Sequence, residues 1–276
     1  MTIPVPGPTI LRACRSVAML AVVVTAGTLA SGYSLAQEKV AAFAPGEKLT
    51  YDVLWSIFSA GEVSATLRSV DGSSKDAYEV VTAAHSQGFV SLLYSVQNEF
   101  HSLFDPESSC SRSISKTINE GRRRKETRIL FDSQRRLAIL DERDLSRPKD
   151  PPKHAENEIP PCVEDVVTAF YFLRRQNFQV GKPIKLPVND GSKTYDVTVE
   201  VQAREPVQTP LGNREAFRVE PRVFGGLYKR KGRMLIWFSD DAQHLPLRIK
   251  FLIAIGSLTG TLRSVSQQTV PSSAPR

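Results

Sequence analysis

Cysteine, histidine and long apolar runs are all scarce in this chain, and each scarcity closes off a class of protein. Three cysteines and four histidines (His85, His101, His154 and His244) stand in 276 residues. The histidines form no HExxH cluster and none lies at ligand spacing from a cysteine, so no metal site is predicted. No G-x-S-x-G elbow, Walker A loop or dinucleotide glycine fingerprint occurs, and no catalytic residue or cofactor is assigned. Only one stretch is strongly apolar, Val17 to Ala30. Its 14 residues fall short of the roughly 20 that span a bilayer. Nothing later is long and apolar enough to be a membrane span.

That one stretch has the anatomy of a cleavable secretory signal. Arg12 and Arg15 supply a basic start, Val17–Ala30 the apolar core, and Ser34-Leu-Ala36 a small-x-small cleavage site before Gln37. Cys14 precedes the core, so it is not placed as a lipid-anchored cysteine. The expectation is export to the periplasm or cell envelope, cleavage near Ala36, a soluble β-rich domain over 37–265, and a disordered tail over 266–276. The domain is read as a single body or as two halves meeting near 141–161. Removing Arg12 and Arg15 lowers the net charge from +7 to +5. So mild a balance favours solubility and weak attraction to anionic surfaces, and no nucleic-acid motif accompanies it. The two remaining cysteines, Cys110 and Cys162, favour a disulfide in an oxidising compartment, with two separate thiols as the alternative. A bridge there would close a loop worth about 4 kcal/mol on the chain-entropy model.

Past Pro45-Gly46 the pattern is that of strands. Leu49, Tyr51, Val53, Trp55 and Ile57 alternate with polar or smaller residues. Similar runs recur after Ala60-Gly61, around 78–83, 98–104, 111–119, 125–131 and 136–140, and again from Pro183 to Leu262. Turn residues such as Asp71-Gly72, Asp132-Ser133 and Asp190-Gly191 separate them. Residues 141–161 carry five prolines and many charges, and read as a long exposed loop that cannot pair as a central strand. One helix is predicted, with Glu164 and Asp165 in its first turn and Arg174 and Arg175 in its last, complementing the macrodipole. About a dozen strands with one helix imply a mainly β fold: curved antiparallel sheets, sandwich or open-barrel-like, packed on one central α-helix.

Several segments together are similar to one family. They are Pro45-Gly-Glu-Lys-Leu-Thr-Tyr-Asp-Val53, the helix Asp165-Val-Val-Thr-Ala-Phe-Tyr-Phe-Leu-Arg174, Thr209-Pro-Leu-Gly212 with Phe217, Leu235-Ile-Trp-Phe-Ser-Asp-Asp241, His244-Leu-Pro-Leu-Arg-Ile249, and Ile255-Gly256. Over roughly residues 45–265 the chain resembles the bacterial exported proteins grouped as domain of unknown function 3108. The resemblance implies export and a β-rich body; it brings no activity and no functional residues.

Two features invite a binding reading. The run Arg122, Arg123, Arg124 and Lys125, extended by Arg128, suits an anionic headgroup, or else simply a solvated hairpin whose charges discourage edge pairing. On a strand, Arg122, Arg124 and Arg128 would share one side, with Arg123 and Lys125 on the other. The helix bearing Phe170 and Phe172 is apolar over most of its circumference, so either strands cover it from more than one side or part of it faces an apolar ligand. Asp240 and Asp241 fall where a turn is required, and turn chemistry explains them. The function expected is that of a non-enzymatic envelope protein binding lipid or glycolipid. An assembly scaffold docking another envelope protein through 141–161 is the alternative, and a hydrolase of envelope polymers is the weakest of the three.

Overall fold

Alternation of apolar and polar residues becomes backbone pairing along nearly the whole chain. The computed structural model describes residues 41–70, 77–223, 232–252 and 256–267. The signal segment, the Asp71-Gly72 turn, the Gly225-Gly226 pair, Ile255 and everything beyond Gln267 lie outside the described residues.

In chain order the elements are β1 (Glu47–Trp55), β2 (Phe58–Val70), β3 (Ala77–Ser86), α1 (Gly88–Leu93), β4 (Gln97–Phe104), β5 (Ser111–Glu120), β6 (Arg123–Asp132) and β7 (Leu137–Asp144). They continue with β8 (Lys153–Glu158), α2 (Thr168–Arg174), β9 (Ile184–Asn189), β10 (Thr194–Thr209), β11 (Gly212–Val223), β12 (Arg233–Ser239), β13 (Pro246–Leu252) and β14 (Ser257–Gln267). Ser266 and Gln267, expected in the tail, complete β14, where Gln267 pairs with Glu47.

All fourteen strands belong to one antiparallel sheet, so the open-barrel-like arrangement replaces the sandwich. The order is β8 to β1 in reverse, then β14 down to β9. Every neighbour is a hairpin partner except β1 and β14, the first and last strands, which join two meanders side by side. Register shifts in β1, β4, β10 and β12 mark bulges, and bulges add local twist and bend.

The edge strands β8 and β9 share no ladder, yet their side chains meet. Asn157 Nδ2 donates to the Gly191 carbonyl at 2.9 Å, and Asn189 Nδ2 donates to Asn157 Oδ1 at 2.7 Å. Between them Glu164 forms a single parallel bridge to Val188. The sheet therefore curls until its edges touch, without closing. Gly191 takes φ +96° in the β9–β10 turn, and a Cβ there would lie 2.7 Å from Ile129 and 2.9 Å from Leu140. Glycine is required for both reasons.

Two expectations need correcting here. Residues 141–161 are not one loop: β7 runs on to Asp144 and β8 pairs with it as an edge strand, with Pro148, Pro151 and Pro152 in the connection and Pro160 and Pro161 beyond. The helix is also shorter than expected. Glu164 N donates to the Pro187 carbonyl at 3.0 Å and the Glu164 carbonyl accepts from Asn189 N at 2.8 Å, which holds this backbone extended. Asp165 then turns the chain, its Oδ1 accepting from Val167 N at 2.6 Å and Thr168 N at 3.1 Å. Neither acid lies in the first turn of α2. A second short helix, α1, was not expected.

Among the described residues, four clusters make up the core. Leu173 and Phe178 pack with Val197, Val199, Val219, Ile236 and Phe238 from the second half. Tyr171 packs with Phe43, Leu67, Val80 and Phe104 from the first. A third cluster holds Ile114, Ile129, Phe131 and Leu140, with Val167 against it, and a fourth Leu49, Tyr51, Trp237, Leu247 and Leu262. Residues of α2 thus contact two of the four, and its N-cap Val167 a third. Each fully buried aliphatic or aromatic side chain contributes about 1.5–3 kcal/mol. Cys110 and Cys162 are joined in a disulfide that ties the start of β5 to the segment before α2.

Candidate functional site

Strand positions that face inward do not all meet a neighbour. A cavity of about 420 Å³ lies between α2 and the strands β1–β4, β13 and β14. Leu49, Tyr51 and Val53 of β1, Ala65 of β2, Thr82 and Ala84 of β3, and Gly260 of β14 line it opposite Phe170 and Tyr171. Val166, Phe251 and Leu258, also in its wall, are exposed, so the space opens to solvent. A second cavity of about 670 Å³ shares Val53, Val63, Ala84 and Leu258 with the first and extends under α1 to Val90, Leu93 and Tyr94. Volumes of this order are those of small-molecule sites.

Two polar side chains of the wall, Asn98 and Arg174, are held by protein partners. Asn98 Nδ2 donates to Glu120 Oε1 at 2.8 Å, and its Oδ1 accepts from Asn119 N at 3.0 Å. Arg174 is buried, yet Nη1 and Nη2 donate to the two Glu47 oxygens at 2.6 and 2.8 Å. Nη2 and Nε also reach the Ala42 and Gln243 carbonyls. Its guanidinium lies 5.3 Å from the Phe43 ring and 5.5 Å from that of Tyr171. The Tyr171 hydroxyl is buried without a partner among the described residues, and burial pushes its pKa up.

Near the foot of α2, Asp165 sits in a buried hydroxyl nest. Ser102 and Ser111 donate to its Oδ2, Ser111 at 3.0 Å, and its own N–H donates to Ser111 at 2.8 Å and Thr168 at 2.9 Å. The turn that leads into α2 accounts for this acid. Glu164 beside it is different, because both carboxylate oxygens are buried without a partner among the described residues. Burial pushes its pKa up to about 8. Asp241 behaves as turn chemistry requires, its Oδ1 accepting from Ser239 Oγ, Gln243 N and His244 N.

The residues singled out by sequence go to three separate places. Phe170 lines the first cavity; Phe172 packs against the Leu173–Phe178 cluster. Arg122, Arg123 and Arg124 are exposed at the tip of the β5–β6 hairpin. Lys125, on the same side of β6 as Arg123, is only partly exposed and pairs with Glu142 at 2.5 Å. Arg128 lines a distinct polar pocket of about 370 Å³ with Lys116, Thr127, Glu142 and Arg143. None of Arg122, Arg123, Arg124, Lys125 and Arg128 lines the apolar cavity. Sequence reasoning missed Ala65, Ala84 and Gly260, which create the space by being small, and it missed α1. The signal for α1 was Gly88-Phe-Val-Ser-Leu-Leu-Tyr94, an apolar run between two strands with no alternation.

Among curated proteins, none matches the sequence. The fold is similar to the crystal structure of a β-barrel-like protein of domain of unknown function DUF1849 from Brucella abortus. Identity is 9% and the TM-score 0.55, with 81% of this chain and 98% of that one covered. A protein described as exported, with a YmcC-like fold, from Bacteroides fragilis NCTC 9343 aligns at 8% identity and TM-score 0.35, over 81% and 97% of the two chains. The model of the family described as "Protein of unknown function (DUF3108)" matches residues 50–263, most of the chain, and the chain belongs to that family.

Proposed function

We propose that the protein is an exported, non-enzymatic envelope protein that holds the acyl portion of a lipid or glycolipid between α2 and the curled sheet. One observation carries this reading: two adjoining apolar cavities that share wall residues and open to solvent. An empty apolar space costs packing energy, and a lipid tail would recover it without needing polar partners. The wall fits such a guest, since Asn98 and Arg174 are engaged elsewhere and the unpartnered Tyr171 hydroxyl is free to accept or donate one hydrogen bond. The sequence's secretory signal and the Cys110–Cys162 bridge both support an oxidising compartment outside the cytoplasm. The scaffold reading has no comparable observation behind it.

The test is chemical. Protein purified without detergent is extracted with organic solvent and the extract analysed by mass spectrometry, alongside Ala84→Trp, which fills the space shared by both cavities. Near-stoichiometric lipid from the wild type and little from a folded Ala84→Trp variant is expected. A wild-type protein that yields no lipid and binds no fluorescent fatty acid would end the proposal.

A further inference from the structure

The lining of the larger cavity continues outward into a patch of exposed apolar side chains. Leu92 of α1 is 84% exposed and Ile57, at the β1–β2 tip, 82%; Phe58, Phe89, Leu93 and Tyr94 are each at least half exposed. Leu93 and Tyr94 belong both to this patch and to the cavity wall. The two tips are neighbours: α1 packs on β2, and Gln87 N donates to the Ala60 carbonyl at 2.9 Å. So concentrated an exposure of large apolar groups marks an interaction site.

The basic hairpin tip adjoins the same patch. Gly121 N donates to the Ser95 carbonyl at 2.7 Å, and the Tyr94 ring packs beside Gly121 at the β5–β6 turn. This places Arg122, Arg123 and Arg124, all exposed, directly after a residue bonded to the α1 connection. Arg123 approaches Glu120 at 3.6 Å, and Glu120 also bonds Asn98; Arg122 and Arg124 make no ion pair among the described residues. Large apolar side chains bordered by unpaired arginines are the two halves of an interfacial membrane site: one enters the acyl region while the other meets phosphates.

We propose that this end of the sheet docks on an anionic phospholipid bilayer, with Ile57, Phe89 and Leu92 inserted and Arg122 to Arg124 on the headgroup phosphates, so that the cavity mouth faces the lipid it loads or delivers. The inference rests on the lipid-carrier reading and extends it to an interaction surface. A protein partner or a second copy would account for the apolar patch, but not for a border of unpaired cations against it.

Co-sedimentation with phosphatidylglycerol–phosphatidylethanolamine vesicles tests this, with phosphatidylcholine vesicles as reference. The wild type should pellet with the anionic vesicles and be released by salt. Arg122→Gln with Arg124→Gln should bind about thirtyfold more weakly. Phe89→Asp with Leu92→Asp should bind at least about a hundredfold more weakly. Both variants change exposed side chains, and circular dichroism checks that each keeps the wild-type fold. Both should retain lipid in the extraction assay, and Ala84→Trp should still sediment with vesicles while losing its lipid. Docking and carriage can therefore fail separately. No sedimentation of the wild type, equal binding to phosphatidylcholine, or wild-type binding by either double variant would overturn the proposal. So would a wild-type dimer that Phe89→Asp with Leu92→Asp converts to a monomer without any vesicle binding, which would assign the patch to a second copy.

Discussion

The ion pair between Arg174 and Glu47 makes a sharp test of how the fold is held. Arg174 is 1% exposed and Glu47 5%, so both charges have left water, which is costly unless every donor finds an acceptor. Four of the five N–H donors find one: two bonds go to one carboxylate and two more to the Ala42 and Gln243 carbonyls, with two aromatic faces beside the guanidinium. The pair ties the end of α2 to the start of β1, which are 127 residues apart in sequence. Removing one partner strands the other, and Arg174→Met or Glu47→Leu should each cost about 3–5 kcal/mol. For a domain of this size that lowers the melting temperature by roughly 10 °C. The double variant should cost clearly less than the sum of the singles, because no stranded charge remains. Trp55 and Trp237 report urea unfolding by fluorescence, from which the free energies follow. Single variants that cost under about 1 kcal/mol, or a double variant as costly as the sum, would refute the reasoning.

Glu164 predicts a pH dependence. Its carboxyl, raised by burial to about 8 from an ordinary value of 4.5, stays protonated in the folded chain where the unfolded chain has released its proton. Stability therefore falls as pH rises between those two values, by up to about 1.4 kcal/mol per unit. Glu164→Gln should remove that slope, and superimposable profiles of melting temperature against pH for the two proteins would contradict the assignment. Gly191→Ala should destabilise by about 2–4 kcal/mol through positive φ and the clash with Ile129 and Leu140. Chemical denaturation measures it, and a neutral result would mean that the edges of the sheet do not meet as described.

Local signals in the sequence carried the strands and failed at what is set by distance. Period-2 alternation located the strands because each shows one face to the core, and Asp132, Asp190 and Asp241 act as the turn residues they were read to be. The pairing of β1 with β14, over two hundred residues apart, leaves no local trace, nor does the contact of Asn157 with Gly191 that brings the edges together. The helix start was misread because acids before an apolar run suit a first turn. Here Glu164 was already committed to β9 through its backbone, so the turn passed to Asp165.

The cavity shows most clearly why the site was half legible. Alternation says which residues of β2 and β3 face inward, but not whether the inside is full. At one end of this hairpin Leu67 pairs with Val80, both wholly buried against Phe104 and Tyr171. One step nearer the mouth the pair is Ala65 with Thr82, then Val63 with Ala84, and across the sheet β14 offers Gly260. Side-chain volume thus falls along the same inward face as the strands approach α1, while Phe170 stands opposite and does not fill the difference. Interiors are close-packed, so a missing volume of this size has to be left open or occupied. The sequence does contain that gradient of size, but it acquires meaning only once the register sets Ala65, Ala84 and Gly260 around one space. Mutations that enlarge these three residues should therefore act on occupancy before they act on folding, which is the order expected if the space exists for a guest.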